Sequence, residues 1–322
     1  MALTTIIILI MTVPFADAVK KRVLLFDGAM GTEIQKLNPR PEDFPDGKDG
    51  FNDGLVLTRP EWIRQIYKSY LQAGADCIET NTFGSNRFKL DEYGYGDQTV
   101  EFNKNAAQLA RQVADEFEGR YVIGSMGPSG FLPSSNDPDL GQKSLDDIRE
   151  AFALQAEGLI LGSSDALLIE TSQDILEVKL AIEASHAAMK KTGKKIPIIA
   201  NVTLDKYGKM LLGTSIQAAY TTVSDMGIDF FGLNCSTGPA EMSSSVRWLG
   251  EQDLPVLVMP NAGMPHNEGG RAVYKMSPGE IAERLSDFVE TYHNVRMIGG
   301  CCGTTPEHIA ELRKVIDGPA KK

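Results

Sequence analysis

From Val23 onward the chain alternates between short, almost wholly apolar runs and longer stretches whose apolar residues recur at helical spacing. The apolar runs are VLLFDGA from Val23, DCIETNTF from Asp76, YVIGSMGP from Tyr121 and ALLIETSQD from Ala166. PIIANVTL from Pro197, DFFGLNCS from Asp229, PVLVMPNAG from Pro255 and VRMIGGCCG from Val295 complete the series. Runs of this kind, without polar alternation, predict strands buried on both faces, as in a parallel sheet. RPEWIRQIYKSYLQAG reads as a helix, with Pro60 near its start and Gly74 at its end. TVEFNKNAAQLARQVADEFEG and SLDDIREAFALQAEGLILG read as two more, the second opening on Ser144 as N-cap. Further helices are predicted to begin near Asp174, Ser215, Pro239, Ser277 and Thr305.

Eight strand–helix units in 322 residues predict an α/β fold, the closed (β/α)8 or TIM barrel. An open doubly wound sheet is the competitor, but no G-x-G-x-x-G follows the first strand. The stretch from Gln35, QKLNPRPEDFPDGKDGFNDGLVLT, reads as a long loop at the end of a barrel where long loops carry function. One barrel domain is expected over residues 19–322, preceded by an apolar leader over residues 1–18. The run Ile6 to Val13 is too short to span a bilayer, and no Lys or Arg precedes it, yet Ala16-Asp17-Ala18 resembles a signal-peptidase site. A signal-like leader, a segment packed on the domain and a misassigned start all fit these residues.

A net charge of −11 argues against nucleic acid as a partner, and no later segment suits a membrane helix. Four cysteines are too few and too scattered for a disulfide framework, so a reducing, cytoplasmic setting is expected. In such barrels the reactive groups sit at the C-terminal strand ends. Those ends carry Asp27, Glu79, Asn81, Thr82, Ser125, Glu170, Thr171, Asp174, Asn201, Thr203, Asn234, Cys235, Asn261, Cys301 and Cys302. Cys235 ends the sixth strand and the adjacent pair Cys301-Cys302 ends the eighth, so three sulfurs can converge across the seventh. Three thiolates suit a tetrahedral zinc ion with its fourth position open. Of His186, His266, His293 and His308, only His266 is a rival ligand, and His308 is expected to face solvent or cap its helix. Gly299, Gly300 and Gly303 are expected to leave room for the metal, and Cys77 to sit in the core. A zinc ion on three thiolates carries net negative charge and suits deprotonating a fourth thiol better than water; the reaction that follows is alkyl transfer to sulfur.

The segments LFDGAMGTEIQ, AGADCIETNTFGSN, LLIETSQD, GLNCSTGPAEM, PNAGMP and IGGCCGTTPEHI, in order from about Val23 to Ile316, together resemble the homocysteine S-methyltransferase family. DGAMGTEIQ, FNDGLVLTRPE and NAGMP favour its methionine synthase branch, in which the matching part is an N-terminal homocysteine-binding module. The resemblance implies zinc on Cys235, Cys301 and Cys302, with homocysteine as fourth ligand through sulfur. It implies that Glu170 holds the substrate amino group, and that the turn Gly28, Ala29, Met30 and Gly31, beside Asp27, receives the carboxylate on backbone N–H groups. Asn261 becomes a candidate to hold the open zinc position before substrate arrives. The expected product is methionine. Methylcobalamin is the expected donor, on corrinoid- and folate-binding modules of the same protein or on separate chains, since this chain carries no cobalamin-loop signature. Betaine or an S-methyl sulfonium is the alternative donor, although Thr171 stands where an aromatic cation-binding residue would be expected. A zinc-thiolate store or redox sensor without turnover is the alternative of another class.

Overall fold

All eight apolar runs form parallel strands of one barrel: β1 (Leu24–Leu25), β2 (Cys77–Glu79), β3 (Tyr121–Met126), β4 (Ala166–Ser172), β5 (Ile198–Val202), β6 (Phe230–Asn234) and β7 (Val256–Met259). A small antiparallel hairpin, β8 (His266–Glu268) and β9 (Arg271–Val273), follows, and β10 (Val295–Ile298) is the eighth barrel strand. This computed structural model describes residues 13–269 and 271–318, so most of the run from Ile6 lies outside the described residues. Neighbouring strands follow the order β1-β10-β7-β6-β5-β4-β3-β2, which sets β6 and β10 on either side of β7.

The ring closes between β1 and β2 through a backbone bridge, Phe26 to Cys77, and the Asp76 N–H, which donates to the Leu25 carbonyl at 2.7 Å. Two aspartates reinforce that seam. Asp76 Oδ2 accepts the Leu25 N–H at 2.9 Å, and Asp27 Oδ2 accepts the Glu79 N–H at 3.0 Å. Each carboxylate thus replaces a ladder partner that the two-residue β1 is too short to supply.

Inward-facing Leu24, Phe26, Ile123, Leu168, Ile199, Leu257 and Met297 fill the lower barrel as an apolar layer. The helix Phe15–Lys21 closes its base. Phe15 is 4% exposed and meets Tyr121 and Phe230 edge-on at 5.5 and 5.6 Å between ring centroids. Ala18 and Val19 are buried with it, and Arg296 donates to the Val19 carbonyl at 2.9 Å. The boundary expected between residues 18 and 19 therefore falls inside this helix, as does Ala16-Asp17-Ala18.

The expected helices form over Pro60–Gln72, Thr99–Ala114, Leu145–Leu161, Ile175–Thr192, Ile216–Val223, Pro239–Leu249, Pro278–Thr291 and Pro306–Asp317. Ser144, Asp174, Ser215 and Ser277 accept first-turn N–H groups as N-caps. The stretch from Gln35 is packed rather than open. It folds as short helical turns, stacks Phe51 on Tyr93 at 4.2 Å, and buries Asp53 against the Gly84 N–H and the Ser85 hydroxyl. Short helices Met30–Lys36 and Arg87–Asp91 and the β8–β9 hairpin lie where no element was expected. No helix among the described residues is long and apolar enough to cross a membrane.

Candidate metal centre and carboxylate pit

β6 ends at Asn234, and the backbone then turns through left-handed Cys235 and Ser236, both at φ 63°. Non-glycine residues rarely adopt this conformation, which costs about 1–3 kcal/mol each. Here it accompanies the approach of Cys235 to the loop after β10. The Sγ atoms of Cys235, Cys301 and Cys302 all lie within 4.8 Å of one another, and Cys235 is 3.9 Å from Cys302. No fourth Cys, His, Asp or Glu joins this cluster among the described residues. Three sulfurs converging on one point, with a side left free of protein donors, fit a soft tetrahedral metal.

The surrounding backbone is fixed group by group. Cys301 N–H donates to the Pro260 carbonyl at 2.8 Å, and Cys235 N–H to Met259 at 3.1 Å. Asn261 Oδ1 accepts the Cys302 N–H at 3.1 Å, so this expected site residue does reach the cluster, held against its backbone. The Cys235 and Cys302 sulfurs lie within hydrogen-bonding reach of each other. Donation from Cys235 and Cys301 holds Cys302 well below the usual thiol range, while Cys301, as donor to Cys235 and Cys302, is pushed up. Tyr274, just past β9, adds its hydroxyl to Cys302 and lays its ring against Gly303. A Cβ on Gly303 would stand 2.3 Å from that ring, and its φ of 79° also favours glycine. The glycines around the cysteine pair thus have another reason than room for metal. A Cβ on Gly299 would strike Phe26 at 2.6 Å, and one on Gly300 would strike Thr304 at 2.3 Å.

Beside the sulfurs the upper barrel is polar. Glu170, buried at the end of β4, accepts the Ser125 hydroxyl on one oxygen and the Asn234 amide, at 3.0 Å, on the other. Burial pushes its carboxyl up to about 7. Thr171, at φ 57°, is pinned by Asn234, which accepts its N–H at 2.8 Å and donates to its hydroxyl at 2.7 Å. Asp27 is 2% exposed, and its Oδ1 has no hydrogen-bond partner. Burial raises it well above the ordinary carboxylate range. In the turn from Gly28 to Gly31, the Ala29 N–H is already committed to Thr304 Oγ1 at 3.2 Å. Tyr70 braces the same turn by donating to the Ala29 carbonyl at 2.9 Å.

Other strand-end residues serve the scaffold. Asn81 donates to the Asn52 carbonyl, Thr82 to Ser125, and Thr203 to Asn234. Asp174 caps its helix. His308 is buried, caps its own helix through Nδ1 and contacts the Met276 carbonyl through Nε2, so it does not face solvent. His266 is exposed on the hairpin, away from the thiol cluster, and Cys77 is buried core. Tyr274 and Glu79 are the neighbours of the site that the sequence did not single out. Tyr274 sits in a polar stretch with no strand or helix signal, and Glu79 was one of several polar strand ends.

A barrel of eight parallel strands that gathers three thiols, able to hold a metal ion, and a buried carboxylate at one rim defines an α/β-barrel enzyme with a thiol-lined site. Within that class the chain belongs to the homocysteine S-methyltransferase family, which residues 24–316 match. It is 43% identical over 305 residues to methionine synthase of Mycobacterium tuberculosis, an overlap of 93% of this chain and 25% of that protein. Methionine synthase of Mycobacterium leprae is 42% identical over the same length. The chain thus spans 25% of the length of these curated relatives. Among solved structures, the metallated homocysteine methyltransferase MmuM of Escherichia coli shares the fold. Its TM-score is 0.74 at 22% identity, with 93% of this chain and 98% of that one covered.

Proposed function

We propose that this chain binds homocysteine and accepts a methyl group on its sulfur to give methionine, as the homocysteine-activating module of a cobalamin-dependent methionine synthase system. The observation that carries this is the pairing of a three-thiol cluster, open on one side, with a cation-seeking carboxylate pit at the same rim. A zinc ion held by Cys235, Cys301 and Cys302 would supply acidification of a fourth sulfur ligand, the substrate thiol. Glu170 and Asp27 hold the substrate ammonium. The N–H groups of Gly28, Met30 and Gly31 remain for its carboxylate, since that of Ala29 is taken by Thr304. Asn261 stands at the open position until substrate arrives. Fixing the two ends of the amino acid leaves its sulfur facing the thiol cluster, and holding reactants in place in this way lowers the entropic part of the barrier.

The methyl donor is methylcobalamin, carried by corrinoid- and folate-binding modules on the same full-length protein or on partner chains. The thiols require a reducing compartment, which makes the protein cytoplasmic. The test incubates zinc-loaded protein with homocysteine and, in parallel, methylcobalamin, S-methylmethionine or betaine. Methionine is expected from methylcobalamin alone, and none from Cys301→Ser, which is expected to lose zinc while keeping its circular dichroism. Methionine from betaine or the sulfonium would overturn the donor. None from any donor, with a corrinoid module supplied as well, would overturn the reaction.

A further inference from the structure

Asp27, Glu79 and Glu170 come from three strand ends and meet inside one rim. Glu79 receives no backbone or hydroxyl donor on Oε1, which is shielded from solvent. Its carboxyl lies beside that of Glu170, and its own N–H is held by Asp27 at 3.0 Å. The charged groups nearest it are Asp27, just past β1, and Glu170 from β4, and the hydroxyls of Tyr67 and Tyr70 on the helix Pro60–Gln72 lie in the same field. Among the described residues, no Lys, Arg or His pairs with any of the three carboxyls. Adjacent carboxylates with little access to water resist ionising together, which favours a proton held between Glu79 and Glu170. Burial and the charge of Glu170 push Glu79 in that direction.

We infer that Glu79 is a positioning residue of the amino-group site: it holds a proton against Glu170 in the empty protein and gives it up when an amino acid ammonium enters. The Glu79 O–H bond breaks, its electron pair stays on the carboxylate, and the proton passes to the buffer. No bond forms to the substrate. The ammonium then replaces the proton as the positive charge that Glu79, Glu170 and Asp27 share. This inference rests on the proposed reading of Glu170, and it adds a proton separate from that of the substrate thiol.

The experiment is calorimetric titration of zinc-loaded protein with L-homocysteine and with L-methionine, in buffers of different ionisation enthalpy. Methionine has the same amino and carboxyl ends but no ionisable thiol. At pH 7 its binding is expected to release on the order of half a proton or more, and its affinity to rise with pH by up to about tenfold per unit. Glu79→Gln is expected to bind methionine with little proton release and a flat pH profile, and to lower the release on homocysteine binding by the same amount. No release from the wild-type protein, or release unchanged in Glu79→Gln, would overturn the inference while leaving the substrate reading intact. If neither amino acid binds, that reading falls and the inference falls with it. Should Glu79→Gln fail to fold, infrared difference spectra of the wild-type protein decide. Loss of a protonated-carboxyl band on methionine binding supports the inference, and an unchanged band refutes it.

Discussion

Glu177 shows how much one carboxyl can carry without touching the thiols. It is buried in the first turn of the helix Ile175–Thr192, where its Oε1 accepts both the N–H and the hydroxyl of Ser129. Burial raises it to about 7. A folded-state value above the unfolded one means that its proton stabilises the fold fully below the ordinary carboxylate range, and that this contribution is lost as pH rises through about 7. Glu177→Gln keeps the accepting oxygen and removes the ionisation. It is expected to match the wild type near pH 4.5 and to exceed it by about 1–3 kcal/mol at pH 8 in urea unfolding. Residues of this kind were only half legible in the sequence. The adjacent cysteines could be placed because a pair of soft ligands at a strand end has few other uses. The capping residues could be placed because side-chain oxygen followed by Pro or acid is a local signal. Glu79 and Glu177 could not, because what makes each unusual is a partner from another strand or loop.

Asp76 governs the seam between elements. Beyond accepting the Leu25 N–H, it pairs with Arg22, Arg120 and Arg313 at 2.8, 3.0 and 3.1 Å. These come from the approach to β1, the approach to β3 and the helix Pro306–Asp317, so one carboxylate ties the first strand, the third and the last helix. Asp76→Ala would leave three guanidinium groups facing one another around a vacated centre. It is expected to cost about 3–5 kcal/mol in thermal or chemical unfolding. Arg22→Ala, at a half-exposed partner, is expected to cost less than about 1 kcal/mol. Strands were the most legible elements, because each runs through the interior and shows an unbroken apolar face. The β8–β9 hairpin was not, since His266, Asn267 and Glu268 are exposed and carry no burial pattern. Met30–Lys36 was hidden because its seven residues bury only Ile34.

At the scale of the whole molecule the barrel has a polar end and a plugged end. Phe15 fills the base, on the opposite side of the apolar layer from the thiols. Phe15→Ala is expected to lower stability by about 3–5 kcal/mol, with zinc content and homocysteine affinity unchanged, as thermal unfolding and metal analysis would show. Cleavage after Ala18 would act in the same sense, because it removes Phe15 and the first turn of its helix. The two-residue β1 has a further bearing on motion. A ring held at one joint by a single bridge, one further backbone bond and two side chains breathes there first, and Asp27 is both a clasp of that joint and a face of the proposed amino-group site. On the proposed reading, occupancy of the pit is coupled to how often the wall opens, and the exchange rate of the Glu79 amide becomes a clock for whether an amino acid is inside.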